Sequence, residues 1–119
     1  MKKDSVILVK SKAFAIRIIR MYQYLVAEKR EYIMAKQVLR SGTSIGANVR
    51  EGSVGQTKAD FYAKMNIALK EACETEYWLE LLHETGYLST KAFSGIYADC
   101  DELVSILTSI TKTQYASNS

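Results

Sequence analysis

The sequence predicts an all-α fold, an antiparallel up-down-up-down four-helix bundle. Three observations point there. Four stretches repeat their apolar residues every three to four positions, the period of a helix face, and no strand-like alternation competes with them. The chain contains no proline, so the strongest helix breaker is absent. The gaps between the four stretches are short, which lays consecutive helices side by side and antiparallel. A single domain of 119 residues buries roughly two-thirds of its unfolded surface, enough for a core without metal or disulfide staples.

The first helix is expected over residues 5–28. Ile7, Phe14, Ile18, Met21 and Leu25 form its apolar stripe, widened by Leu8, Ala15, Ile19, Tyr22 and Val26. Lys10, Arg17, Arg20 and Tyr24 share the opposite face. That face reads either as solvated surface or as a basic strip with an aromatic for phosphate and base contact. Lys29, Arg30 and Glu31 break the pattern and make a short connection.

The second helix is expected over 32–53, with Val38, Gly42, Ile45, Val49 and Gly52 on one face. Gly42, Gly46 and Ala47 leave a nearly bare strip beside it. Glycine inside a helix costs roughly 1 kcal/mol relative to alanine, so something other than helix propensity selects these residues. Close packing and a binding surface both fit. The Gly42-x-x-x-Gly46 spacing admits a close neighbour from the same chain or from another.

Thr57 is the expected N-cap of a third helix over 58–85, with Asp60 completing a partial capping box. Phe61, Met65, Ala68, Leu69, Ala72, Thr75, Leu79 and Leu82 line its core face, flanked by Tyr77, Trp78 and Leu81. Gly86 stops it, and Ser89 or Thr90 caps the fourth helix, expected over 90–113. Phe93, Ile96, Tyr97, Cys100, Leu103, Val104, Leu107 and Ile110 give that helix its stripe, and Gln114 to Ser119 read as a polar tail.

Composition narrows the function classes. A net charge of +3 permits nucleic-acid binding without requiring it. No apolar run is long enough to span a membrane. The start of the chain begins like a signal peptide, but Lys10 and Lys12 cut its apolar region short, so a cytoplasmic location is expected. Cys73 and Cys100 lack CxxC spacing and are expected as buried free thiols, a disulfide between them requiring that their helices face each other.

Two patterns look chemical and fail on context. Gly42-Thr-Ser-Ile-Gly46 fits the G-x-S-x-G nucleophile pattern, which needs a preceding strand and a nearby histidine base. Here both flanks are helical and His83 is the sole histidine. Glu80-Leu-Leu-His83 fits the Glu-x-x-His ligand pair of di-iron bundles, but those sites need two such pairs. Neither glycine pair is followed by the Gly-Lys-Ser/Thr of a phosphate loop. No metal, cofactor or small-molecule substrate is expected, and no acid, base and nucleophile set converges on enzyme chemistry.

The stretch Arg40-Ser-Gly-Thr-Ser-Ile-Gly-Ala-Asn-Val-Arg-Glu-Gly52 resembles the signature of the small four-helix bundle proteins encoded within intervening sequences of large-subunit bacterial ribosomal RNA genes. Phe61, Ile67-Ala68 and Glu71-Ala-Cys-Glu74-Thr-Glu-Tyr-Trp-Leu79 resemble that family's third-helix motif. The resemblance implies a bundle that assembles into a ring-shaped homo-oligomer, a pentamer. Through a related accessory protein of diversity-generating retroelements, it also implies contact with a reverse transcriptase and with nucleic acid. By motif match it singles out Arg40, Asn48, Glu51, Gly52 and Glu74.

We expect Arg40, Asn48, Glu51 and Glu74 to form a buried polar network between the second and third helices, because a lone buried carboxylate is costly. Two functional readings follow. One is a non-enzymatic oligomeric binding module that contacts RNA, or a nucleic-acid enzyme, through Lys10, Arg17, Arg20, Lys36, Arg40 and Arg50. The other is a structural or protein-partner scaffold that uses the small-residue strip and the exposed aromatics Tyr24, Tyr77 and Trp78.

Overall fold

The computed structural model describes residues 2–118, with side chains over 6–114. It is an all-α four-helix bundle: α1 (Lys2–Ala27), α2 (Ile33–Ser53), α3 (Lys58–Glu84) and α4 (Thr90–Asn118). Each helix lies beside its two neighbours around a square, and among the described residues the diagonal helices stay further apart. The α1–α4 seam is the most sparsely packed of the four. The bundle measures 48 × 21 × 21 Å, a long axis set by the helices, which rise about 1.5 Å per residue.

The helix ends follow local chemistry. After Ala27 the chain turns through Arg30, which adopts a left-handed φ of 53°. The Glu31 carboxylate then accepts the Ala35 N–H at 2.9 Å, satisfying one of the free donors at the start of α2. Thr57 accepts the Asp60 N–H at 3.1 Å, so the expected cap of α3 forms. Gly86 takes the positive φ of 87° that ends α3 at low cost. Of the two candidate caps for α4, Ser89 is the one used: its Oγ accepts the Ala92 N–H at 3.1 Å.

α4 runs further than the sequence pattern indicated. It continues to Asn118, through the segment read as a polar tail, and that segment contains no glycine or proline to stop it. Ser119 lies outside the described residues.

The apolar stripes meet along the bundle axis. Ile7, Ile18, Leu25, Val38, Ile45, Met65, Leu79 and Leu107 are fully buried. Each such side chain contributes about 1.5–3 kcal/mol of burial. All five residues assigned to the core face of α2 are buried, the glycines Gly42 and Gly52 included. Ile19, by contrast, stays exposed on the α1 rim. One buried polar contact crosses between α2 and α3. Thr75 Oγ1 donates to the Glu71 carbonyl at 2.8 Å and lies 2.9 Å from Ser41 Oγ.

Glycine sets the spacing of α2 from its neighbours. A Cβ at Gly46 would lie 3.3 Å from the Ser11 carbonyl oxygen of α1. At Gly52 it would lie 2.9 Å from Met65 Cε and 3.3 Å from the Phe61 carbonyl oxygen of α3. Gly42 and Gly46 of the bare strip are therefore used for packing against α1 of this chain, while Ala47 is exposed.

Candidate functional site

The polar positions of α2 singled out by the sequence do not form one network. Arg40 reaches across to α3, where its guanidinium pairs with Glu74 and lies 3.5 Å from Glu71. Trp78 Nε1 donates to the same Glu74 carboxylate at 3.0 Å. Asn48 turns back on its own helix and donates to the Ser44 carbonyl at 2.8 Å. Glu51 pairs with Lys64 at 3.0 Å, one end further along the seam. The expected four-residue network is thus two separate ion-pair groups. The reason is geometric: Arg40 and Glu51 are eleven residues apart, about 16 Å along a helix. Nor is it buried, since the Arg40 side chain is 52% exposed.

Trp78 is partly buried against the core, not exposed as expected, whereas Tyr24 and Tyr77 do face solvent. Cys73 is also exposed, contrary to expectation; Cys100 is buried, and both thiols are free.

The chemical-looking patterns resolve into ordinary helix contacts. Ser44 donates to the Arg40 carbonyl at 2.6 Å, inside an unbroken helix. His83 stacks on Phe93 with ring centroids 4.3 Å apart and lies 3.2 Å from Thr90 Oγ1. Glu80 accepts from the Tyr97 hydroxyl at 2.8 Å. No group of three metal-ligating side chains occurs among the described residues. No helix of the described chain is long and apolar enough to cross a membrane.

The basic candidates divide by what they already hold. Lys10 pairs with Glu102 at 3.1 Å, and Arg17 pairs with Asp99 while donating to the Gly95 carbonyl, so both tie α1 to α4. Arg20, Lys36 and Arg50 are exposed and have no carboxylate partner among the described residues. Lys12, which sequence reasoning passed over, joins Arg50 at the rim of a shallow α1–α2 groove of about 330 Å³. Its floor is Ser11, Ala15 and Gly46.

Charge is segregated between the two halves of the bundle. On α1 and α2, Lys2, Lys3, Lys10, Lys12, Arg17, Arg20, Lys36, Arg40 and Arg50 are set against only Asp4 and Glu51. On α3 and α4, Asp60, Glu71, Glu74, Glu76, Glu80, Glu84, Asp99, Asp101 and Glu102 outnumber Lys58, Lys64, Lys70, Lys91 and Lys112. The small net charge conceals this polarity.

With this geometry in place, the match to known proteins is decisive. Residues 3–109 match the family described as 23S rRNA-intervening sequence protein. The chain belongs to that family. A crystal structure of a protein with unknown function from the S23 ribosomal protein family of Bacteroides thetaiotaomicron is 54% identical to it. The two superpose with a TM-score of 0.91, over 92% of this chain and 98% of that one. No protein of curated function matches the chain.

This 23S rRNA-intervening sequence protein also carries an acidic cluster that sequence reasoning did not assemble. Glu76 of α3 lies against Asp101 of α4, and one of its carboxyl oxygens is buried without a hydrogen-bond partner among the described residues. Burial, then the hydrogen bond and charge of Asp101, push the Glu76 carboxyl up to about 7. Burial and the Glu76 charge raise the neighbouring Cys73 thiol too. The hydrogen bond to Glu80, followed by burial, drives the Tyr97 hydroxyl well above its ordinary range. The signal was present as Glu71, Glu74 and Glu76 in mid-helix, but Asp101 is distant in sequence and its approach depends on the α3–α4 register.

Proposed function

We propose that this protein is a non-enzymatic subunit of an oligomeric binding module, and that its α1–α2 half contacts RNA phosphates. The observation that carries the reading is the charge segregation, together with Lys12, Lys36 and Arg50 on that half, which have no carboxylate partner among the described residues. A cation already engaged with a carboxylate has less to offer a phosphate, so Lys10, Arg17 and Arg40 are secondary. The unpaired three are free to release counterions from a nucleic-acid backbone. Repeating this strip around a homo-oligomer, a pentamer in our reading, multiplies phosphate contacts without any new contact per subunit. A cytoplasmic location fits such a partner.

The test is fluorescence anisotropy of a labelled single-stranded RNA titrated with the protein at several salt concentrations. Affinity should fall steeply, with a slope of about −0.7 per phosphate neutralised on a log–log plot. Lys36→Glu with Arg50→Glu should weaken binding at low salt at least about tenfold. Binding that is flat with salt, or unchanged in the double variant, overturns the RNA reading. It would leave the protein-partner scaffold, for which exposed Tyr24 and Tyr77 are the natural contacts.

A further inference from the structure

The outward face of α1 is apolar where a solvated helix face should be polar. Val6 is 42% exposed, Val9 70% and Ile16 50%, and Ala13 lies between them. Their spacing of three and four residues puts them on one stripe, turned away from buried Ile7, Phe14 and Ile18. The stripe spans about 15 Å of helix. Arg20 continues it, exposed and without a carboxylate partner among the described residues. A helix with two apolar faces has two partners.

The opposite half of the bundle offers the complementary surface. Tyr77 is 55% exposed on α3. Glu84 nearby and Asp101 on α4 are exposed, and neither has a cation partner among the described residues.

Resting on the oligomeric reading above, we infer that the Val6–Val9–Ala13–Ile16 stripe of one copy docks on the α3–α4 face of a second copy, with Arg20 meeting Asp101. The contact is heterologous: each copy uses two different surfaces. Such contacts join head to tail and close into rings when the rotation permits. Two α1 faces could not pair with each other as well, because each brings Arg20 and Lys12 of the same sign. The arrangement leaves Lys36 and Arg50 on α2 outside the contact.

Light scattering on size-exclusion peaks tests this with two double variants. Val9→Asp with Ile16→Asp disables the α1 stripe. Tyr77→Lys with Asp101→Lys disables the acidic face. Each alone should run as a monomer with its helical circular dichroism intact. Mixed in equal amounts they should form a complex of two chains and stop there, because one intact surface remains on each. That gain of mass also shows that both variants are folded. If the first pair unfolds the chain, Val9→Ser with Ile16→Ser should still lower the assembled mass. Dimers of the Tyr77/Asp101 variant alone would mean that α1 stripes pair with each other, and would overturn the inference. A wild-type oligomer that survives both double variants overturns it too, while leaving the oligomeric reading intact. A wild-type monomer removes both.

Discussion

Glu76→Gln isolates the acidic contact between α3 and α4. As ionised groups, Glu76 and Asp101 are two acceptors with no donor between them, so the pair is satisfied only when one carries a proton. The Glu76 carboxyl sits at about 7 in the folded chain against an ordinary 4.5. The folded state therefore holds a proton across this window that the unfolded state has lost. Stability is full below 4.5, falls as pH rises toward about 7, and levels off above it. Each pKa unit is worth about 1.4 kcal/mol, which caps the effect at about 3 kcal/mol. Glu76 is only partly buried, and solvent screening brings the expected loss to about 1 kcal/mol. Glutamine keeps the shape and always presents a donor to Asp101. Urea midpoints followed by helical circular dichroism, at fixed protein concentration from roughly pH 5 to 8, should decline for wild type and stay level for the variant. The variant should be the more stable by about 1 kcal/mol at the alkaline end. Parallel declines for both proteins would show that the titrating group lies elsewhere.

Two other substitutions test the packing. Arg40→Ala should cost about 1 kcal/mol, and shift the melting temperature by about 3–5 °C, because its ion pairs are open to water. A loss of about 3–5 kcal/mol would mean that the Glu71–Glu74 site is closed off in solution. Gly46→Val places a branched side chain against the Ser11 carbonyl, where even a Cβ sits at 3.3 Å, and should cost about 2–3 kcal/mol in thermal or urea melts. An unchanged melt would show that another contact sets the α1–α2 distance.

The fold was readable because each helix carries its own period. The α2 core face shows this well. Val38, Gly42, Ile45, Val49 and Gly52 have little in common chemically, yet their spacing alone placed all five inside. The α4 end was not readable by the same means, since a polar segment without breakers is compatible with helix or coil and periodicity falls silent there. Cys73 and Trp78 were misjudged because residue type was weighed above phase. Cys73 is next to Ala72 of the core stripe but is exposed, while Trp78 adjoins Leu79 and reaches back one turn along α3 to Glu74.

The site was less legible, and the cause is the same throughout. Helical spacing assigns a residue to a face; it does not assign that residue a partner. Arg40, Asn48 and Glu51 do share a side of α2, but each takes the nearest group within reach of its own turn, and a shared side does not make a network. The same limit explains the basic candidates. On sequence grounds Lys10, Arg17, Arg20, Lys36 and Arg50 are equivalent cations. Asp99 and Glu102 of a distant helix remove Arg17 and Lys10 from that set, and the α1–α2 groove adds Lys12 to it. Nor does the charge total locate the charge: +3 is compatible with an even scatter, and only the antiparallel pairing of α1 with α2 gathers the bases on one half of the bundle. What a partner meets is therefore decided by which cations the fold leaves unspent, a property of the assembled helices and of no single one.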